Sequence, residues 1–332
     1  MAYTTIDDPS IYFQAKTYTG TQNSHAITLD GNSDLSPNWV WIKCRDDSHN
    51  HQIFDTVRGV NKRIRADANT VETSSVESLK SFDSDGFTLG TQQNVNASAG
   101  GDNSFVAWCW KEDTTAGFDI IAYEGTGSDL DVAHNLSAVP DWIMIKDRDV
   151  DQAWRVYSKS MGFSNRVVLS ENGASSTSAL GLDADPTSSV INIGTGTGTT
   201  NTDNDNYIVY AFKNVKGFSK MGSYVGNGNA NGSFIFTGFK PSWIMGKKSS
   251  GSNNWYMFDT TRNPFNLTTK KLRADTSDTE DDNTSKAIDI LSNGYKIKTA
   301  DEEFNDSGET YIFMAFAENP FVTSGGVPAT AR

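Results

Sequence analysis

The chain has 332 residues with 41 acidic against 28 basic side chains, and its net charge of −13 argues against nucleic acid as a partner, because phosphate binding needs clustered Lys and Arg. No run of 18 apolar residues occurs, and residues 1–10 lack the basic start and apolar middle of a signal peptide, so neither membrane insertion nor export by the usual route is expected. Gly, Ser, Thr, Asn and Asp are plentiful and Pro is scarce, a composition of short strands joined by polar turns.

The first strand signal ends in Tyr18-Thr19-Gly20. The next begins at Pro37-Asn38-Trp39-Val40-Trp41-Ile42-Lys43, with proline at a strand entrance where no ladder donor is required. His49 and His51 would share a strand face, but zinc needs three or four ligands and neither other copy has His here, so a polar turn is expected, with Asp46 and Asp47 beside it offering at most an opportunistic cation site. Asp55 and Arg58 stand three apart beside Gly59, spaced for a local ion pair at an exposed turn. Lys62-Arg63-Ile64-Arg65, the one basic run, reads as a solvated edge strand. Val76, Leu79 and Phe82 fall at roughly helical spacing and predict one short helix, echoed at Ser285 to Leu291. Turns at Asp30-Gly31, Arg58-Gly59, Asp85-Gly86 and Gly100-Gly101 have the cadence of a sandwich or barrel. Phe105-Val106-Ala107-Trp108-Cys109-Trp110 closes the unit, apolar on both faces and therefore a central, covered strand.

The same order recurs twice. Pro140-Asp141-Trp142 and Pro241-Ser242-Trp243 follow Pro37 at steps of 103 and 101 residues, and the closing strands Tyr207 to Phe212 and Tyr311 to Phe316 keep step, as do Tyr123-Glu124-Gly125 and Tyr224-Val225-Gly226. A period this long is a whole small domain. The expected fold is all-β, with three tandem β-sandwich (jelly-roll-like) domains over 1–112, 113–215 and 216–322 and a C-terminal tail, 323–332. The second copy has drifted: Val190 to Ile193 is followed by an alternating Gly/Thr run, 194–200, that reads as a flexible hairpin tip. Cys109 takes the position of Ala211 and Ala315, a core site, whereas Cys44 lies opposite Asp147 and Lys248, where exposure is expected, so no disulfide is predicted.

No Gly-x-Ser-x-Gly, His-Glu-x-x-His or Cys-x-x-Cys motif is present, and no acidic pair recurs among the copies, so no catalytic residue is assigned and the chain is not read as an enzyme. Asp203-Asn204-Asp205 and Asp278 to Asp282 offer oxygen ligands without EF-hand spacing; incidental Ca²⁺ is the only ion they suggest, and no cofactor or metal site is assigned. Trp39, Trp142 and Trp243 hold one buried-strand position in every copy and read as core anchors. Trp154, Tyr157, Trp255 and Tyr256 are not shared by all copies and are the candidates for exposed rings that stack on a glycan.

At Trp-(Ile/Val)-x-x-Lys-x-Arg, Phe-Asp-Thr-x-Arg-Gly, Phe82 to Gly90 and Phe105 to Lys111, the chain resembles an uncharacterised repeat domain of tail and other virion proteins of marine tailed phages, of the cyanophage and pelagiphage kind. The ending Ala317-Glu318-Asn319-Pro320-Phe321 with its Gly325 to Arg332 tail is similar to the finish of such proteins. The resemblance implies a structural or adhesive virion component on the particle exterior, assembled in a bacterial cytoplasm. Its partners would be other virion proteins, further copies of itself and a host surface glycan, with no nucleic acid or membrane insertion. The alternatives are a capsid decoration or tail-adaptor protein that binds only virion proteins, and a polysaccharide-degrading enzyme.

Overall fold

The computed structural model describes residues 2–98, 103–177, 181–195 and 199–330. The turn expected at Gly100-Gly101 and the middle of the Gly/Thr run lie outside them. The described residues are nearly all β, with two single-turn α-helices, Gln93–Asn96 and Glu302–Asn305. The helices expected at Val76 to Phe82 and Ser285 to Leu291 are instead largely strand, Leu79–Asp83 and Ile288–Leu291. Each forms a hairpin across the Asp-Gly or Asn-Gly turn that follows it, and that pairing overrides the weak helical spacing.

Each copy builds one four-stranded antiparallel sheet in the same order: opening strand, closing strand, the strand that carries the Pro-x-Trp residues, and a short fourth strand. In the first copy these are Phe13–Thr19, Ser104–Trp110, Trp39–Cys44 and Gln52–Asp55; in the second, Phe118–Glu124, Asn206–Phe212, Trp142–Asp147 and Arg155–Ser158; in the third, Ser219–Val225, Thr310–Pro320, Phe239–Lys248 and Tyr256–Asp259. Register is equivalent, with Trp39 opposite Trp110, Trp142 opposite Phe212 and Trp243 opposite Phe316. A smaller sheet covers one face. Among the described residues it has three strands in the first and third copies and two, Leu130–Ala133 with Val190–Ile193, in the second.

Strand alternation decides what the other face does. In the first closing strand Phe105, Ala107 and Cys109 pack with Leu79, Phe87 and Leu89 inside the sandwich. Val106, Trp108 and Trp110 point the other way, into a cluster that takes residues from all three copies. Rings cross every boundary there: Trp39 to Tyr210 at 4.8 Å between centroids, Trp110 to Trp243 at 5.3 Å, and Phe212 to Phe316 at 5.8 Å. The units are therefore three sandwiches closed on one another. Residues 111–117 and 213–218 link consecutive copies. The third boundary is held by the N-terminal segment, where Tyr3 donates to the Gly238 carbonyl at 2.7 Å, Thr4 to Lys216 at 2.9 Å, and Ile6 enters the central cluster.

Candidate functional site

The residues the copies share are boundary fittings. The lysine of each Pro-x-Trp strand is fully buried: Lys43 donates to the carbonyl of Ser277 in the third copy, Lys146 to Asn69 in the first, and Lys247 to Asn172 in the second, at 3.1, 3.3 and 2.9 Å. Burial pulls each ammonium down to about 8. The contacts run one way round the molecule, so each copy grips the one before it and the first grips the third.

Trp154 and Trp255 belong to the same system. Trp154 Nε1 donates to the Arg65 carbonyl at 2.7 Å and Trp255 Nε1 to Val168 at 2.9 Å. Both rings are fully buried, as is Tyr256, and Tyr157 is 2% exposed, so none of the four offers a face to solvent and the expectation of exposed glycan-stacking rings is corrected. The unshared aromatics compensate for neighbours. Tyr256 fits because Gly246 stands where the other copies have Ile42 and Ile145; a Cβ there would meet its hydroxyl at 2.1 Å.

His51 occupies the place of Trp154 and Trp255. It is buried, not in a polar turn: its Nδ1 accepts from Trp41 Nε1 at 2.8 Å, which leaves the proton on Nε2 for the Arg273 carbonyl, also at 2.8 Å. Trp41 in turn stands where the other copies have Met144 and Met245. Burial, then the nearby Lys43, holds the imidazole well below its usual value of 6.5. A depressed histidine pKa means that the unfolded chain binds the proton more readily. The stability this neutral form confers is complete above about pH 6.5 and falls with pH below it, by up to about 1.4 kcal/mol per unit. The Trp41→Met, His51→Trp double variant restores the pairing of the other copies; in urea titrations at pH 7 and pH 5 it should lose less stability on acidification than the parent.

Asp55 with Arg58, and Asp259 with Arg262, are fully buried pairs at 2.5 Å and not exposed turn bridges. The basic run is likewise no solvated edge. Ile64 is buried in a bridge with Ile53, Arg65 supplies the carbonyl for Trp154, and Lys62–Arg63 pairs with Thr73–Ser74. Cys44 is buried, because its strand is covered on both faces, and it donates to Asp46 at 3.4 Å; both cysteines are free. Among the described residues no group of three or more His, Cys, Asp or Glu side chains could hold a metal ion, and no helix is long and apolar enough to cross a membrane. Of the acidic stretches, Asp282 accepts from Thr269 and Asp278 pairs with Arg273.

Among the described residues a surface cleft of about 360 Å³, lined by Ser170, Glu171, Asn172, Gly173, Asn254, Asp275 and Thr276, lies where the second and third copies meet, and two others stand out. One, of about 280 Å³, lies in the third sandwich between the edge strands Ser219–Val225 and Phe234–Phe236 and is lined by Lys220, Gly222, Ser223, Tyr224, Phe234, Phe236 and Phe313. Phe234 and Phe236 are 46% and 57% exposed, where the first copy has Ala26 and Thr28 and the second Asp131 and Ala133. Gly222 replaces Lys16 and Ile121 and makes room for the Phe313 ring, which a Cβ would meet at 3.1 Å. Strand spacing alone does not show this aromatic cleft; its one signal in the sequence is the Phe234-Ile235-Phe236 departure from the other copies. The second cleft, of about 460 Å³, lies at the boundary of the third and first copies, lined by Gln14, Ala15, Asp30, Asn32, Ser242, Thr260, Glu318 and Asn319 among others.

Three sandwiches closed on a shared core, with ligand-sized clefts at a sheet edge and a boundary, define an all-β repeat protein. Residues 8–320 match the model of a domain of unknown function, DUF7483, and the chain belongs to that family. That one match spans all three copies. No curated protein matches the chain.

Proposed function

We propose that the chain is an exterior structural component of a phage virion, a tail-fibre or receptor-binding protein that contacts a host surface glycan. The carrying observation is the exposed Phe234 and Phe236 pair beside a ligand-sized cleft, present in one copy only. Flat apolar rings complement the C–H face of a pyranose, and Lys220 and Ser223 on the same cleft supply hydrogen-bonding groups for its hydroxyls. The resemblance of the repeat motifs to phage virion proteins supports the setting. The acidic surface suits a particle component that does not bind nucleic acid.

The test is a Phe234→Ala, Phe236→Ala double variant, compared with the parent for binding to extracted bacterial surface polysaccharides. Both side chains are exposed, so the melting temperature should barely move while binding falls about tenfold or more, the equivalent of roughly 1.4 kcal/mol. Unchanged polysaccharide binding would remove the cleft from the proposal. Binding to isolated virion proteins and to no polysaccharide would favour a decoration or adaptor role.

A further inference from the structure

The copies provide their own template for the boundary cleft. Where the first copy meets the second, Asn38 Oδ1 accepts from the Glu112 backbone N–H at 3.0 Å, and Glu112 Oε1 accepts from the N–H of Ile120 on the next opening strand, also at 3.0 Å. Where the second meets the third, Asp141 caps the N–H of Asn214 at 2.7 Å. The Asn214 carboxamide then takes both edge groups of Met221, accepting from its N–H at 2.5 Å and donating to its carbonyl at 3.3 Å. The two relays are alike: a side chain holds the linker, and the linker's amide or carboxylate caps the outward N–H of an edge strand.

Where the third copy meets the first, the relay is broken. Ser242, one bond too short, stands in the place of Asn38 and Asp141, and Glu318, in the place of Glu112 and Asn214, pairs with Lys240 at 2.9 Å. Ala15 holds the position of Ile120 and Met221. Its carbonyl accepts from Thr261 Oγ1 at 3.3 Å, which shows that its outward edge faces the cleft it lines. A backbone N–H so placed calls for an oxygen acceptor.

We propose that this cleft binds a neutral acetamido sugar, its acetamide oxygen accepting from the Ala15 N–H as the Asn214 carboxamide does from Met221. The sugar ring hydroxyls meet Ser242, Thr260, Asn32 and Asn319. Asp30 and Glu318 at the rim are each paired with a lysine, Lys16 and Lys240, and among the described residues no Lys or Arg lines the cleft to hold a carboxylate in the same role. Short hydroxyl and amide side chains dominate the lining, with few of the apolar subpockets that a peptide's side chains would use, which favours a sugar over a peptide. The inference rests on the glycan reading above but uses a different cleft.

Saturation-transfer NMR with methyl β-N-acetylglucosaminide and methyl β-glucoside separates the two. The acetamido sugar should bind, with strongest saturation at the acetyl methyl, and at least about tenfold more tightly than the glucoside. Ser242→Asn, which restores the residue of the first copy, should abolish binding, and Asn32→Ala, on an exposed loop, should weaken it severalfold with the fold intact. The Phe234→Ala, Phe236→Ala variant should bind the acetamido sugar like the parent, so failure of the aromatic cleft and failure of this one read differently. Equal binding of the two glycosides, indifference to both Ser242→Asn and Asn32→Ala, or tighter binding of an N-acetyl-asparagine amide would overturn the assignment.

Discussion

Asp259→Ala should destabilise the fold by about 3–5 kcal/mol, because it leaves a buried guanidinium without its nearest counter-charge. Asp259 Oδ2 accepts from Arg262 Nε at 2.5 Å and from Trp108 Nε1, across the boundary, at 3.0 Å. Arg262 continues to Glu280 at 3.0 Å, and Glu280 takes Arg45 of the first copy through two bonds of 2.9 and 2.8 Å. Burial pushes Glu280 up, but the bonds and charges of Arg45 and Arg262 outweigh it and hold the carboxyl below the usual range. The same five-membered chain, Tyr210, Asp55, Arg58, Glu72 and Arg148, joins the second copy to the first, so Asp55→Ala should cost as much. At the boundary of the third copy with the second the equivalent residues are Met314, Ser158, Met161, Ser175 and Ser249, none of them charged. Ser158→Ala should therefore cost only about 1 kcal/mol, the worth of the buried hydroxyl's hydrogen bond with Ser160 at 2.9 Å. Urea titration of the three variants checks this, and equal costs at all three positions would show that the charge network is not what distinguishes the boundaries. The contrast follows the physics of buried charge: losing one partner is expensive, whereas replacing a whole network with uncharged groups is often neutral. This chain contains both solutions at equivalent positions.

The sequence carried the strands and their order because alternation and repeat spacing are local signals. Trp39, Trp142 and Trp243 are core anchors as their position in every copy implied. The second face of each four-stranded sheet was legible as apolar but not as shared, since the partner for Trp108 lies about 150 residues away at Asp259 and nothing local records it. Asp55 with Arg58 looked like a surface turn for the same reason: three-residue spacing is identical whether the pair is wet or buried. The misplaced binding residues have a more specific cause. A singular aromatic predicts an exposed ring, but Tyr256 is balanced by Gly246, and Trp154 and Trp255 by Met144 and Met245 where the first copy has His51 and Trp41, swaps of size between neighbours that keep the core filled. Phe234 and Phe236 have no such balancing change for their exposed rings. Comparing paired positions across copies, and not single positions, separates the two kinds of singular aromatic.

Trp142→Ala is the change that tests whether the shared core makes the molecule one cooperative unit. Trp142 is fully buried, and truncating such a ring costs about 3–5 kcal/mol. In independent sandwiches the loss would fall on the second copy alone. The central cluster forbids that separation: unfolding the second copy would bare Trp39, which touches Tyr210 and Phe212, and Phe316, which touches Phe212. It would also strip the acceptors from Lys247 and Trp255 of the third copy and the donors from Asn69 and Arg65 of the first. Exposing those groups together costs more than a sandwich so bound into its neighbours can recover by unfolding alone. The expected result is a single calorimetric transition, shifted down whole, with far- and near-ultraviolet dichroism changing together. A variant in which about one third of the enthalpy melts early and the rest melts as in the parent would show three domains that touch without folding as one.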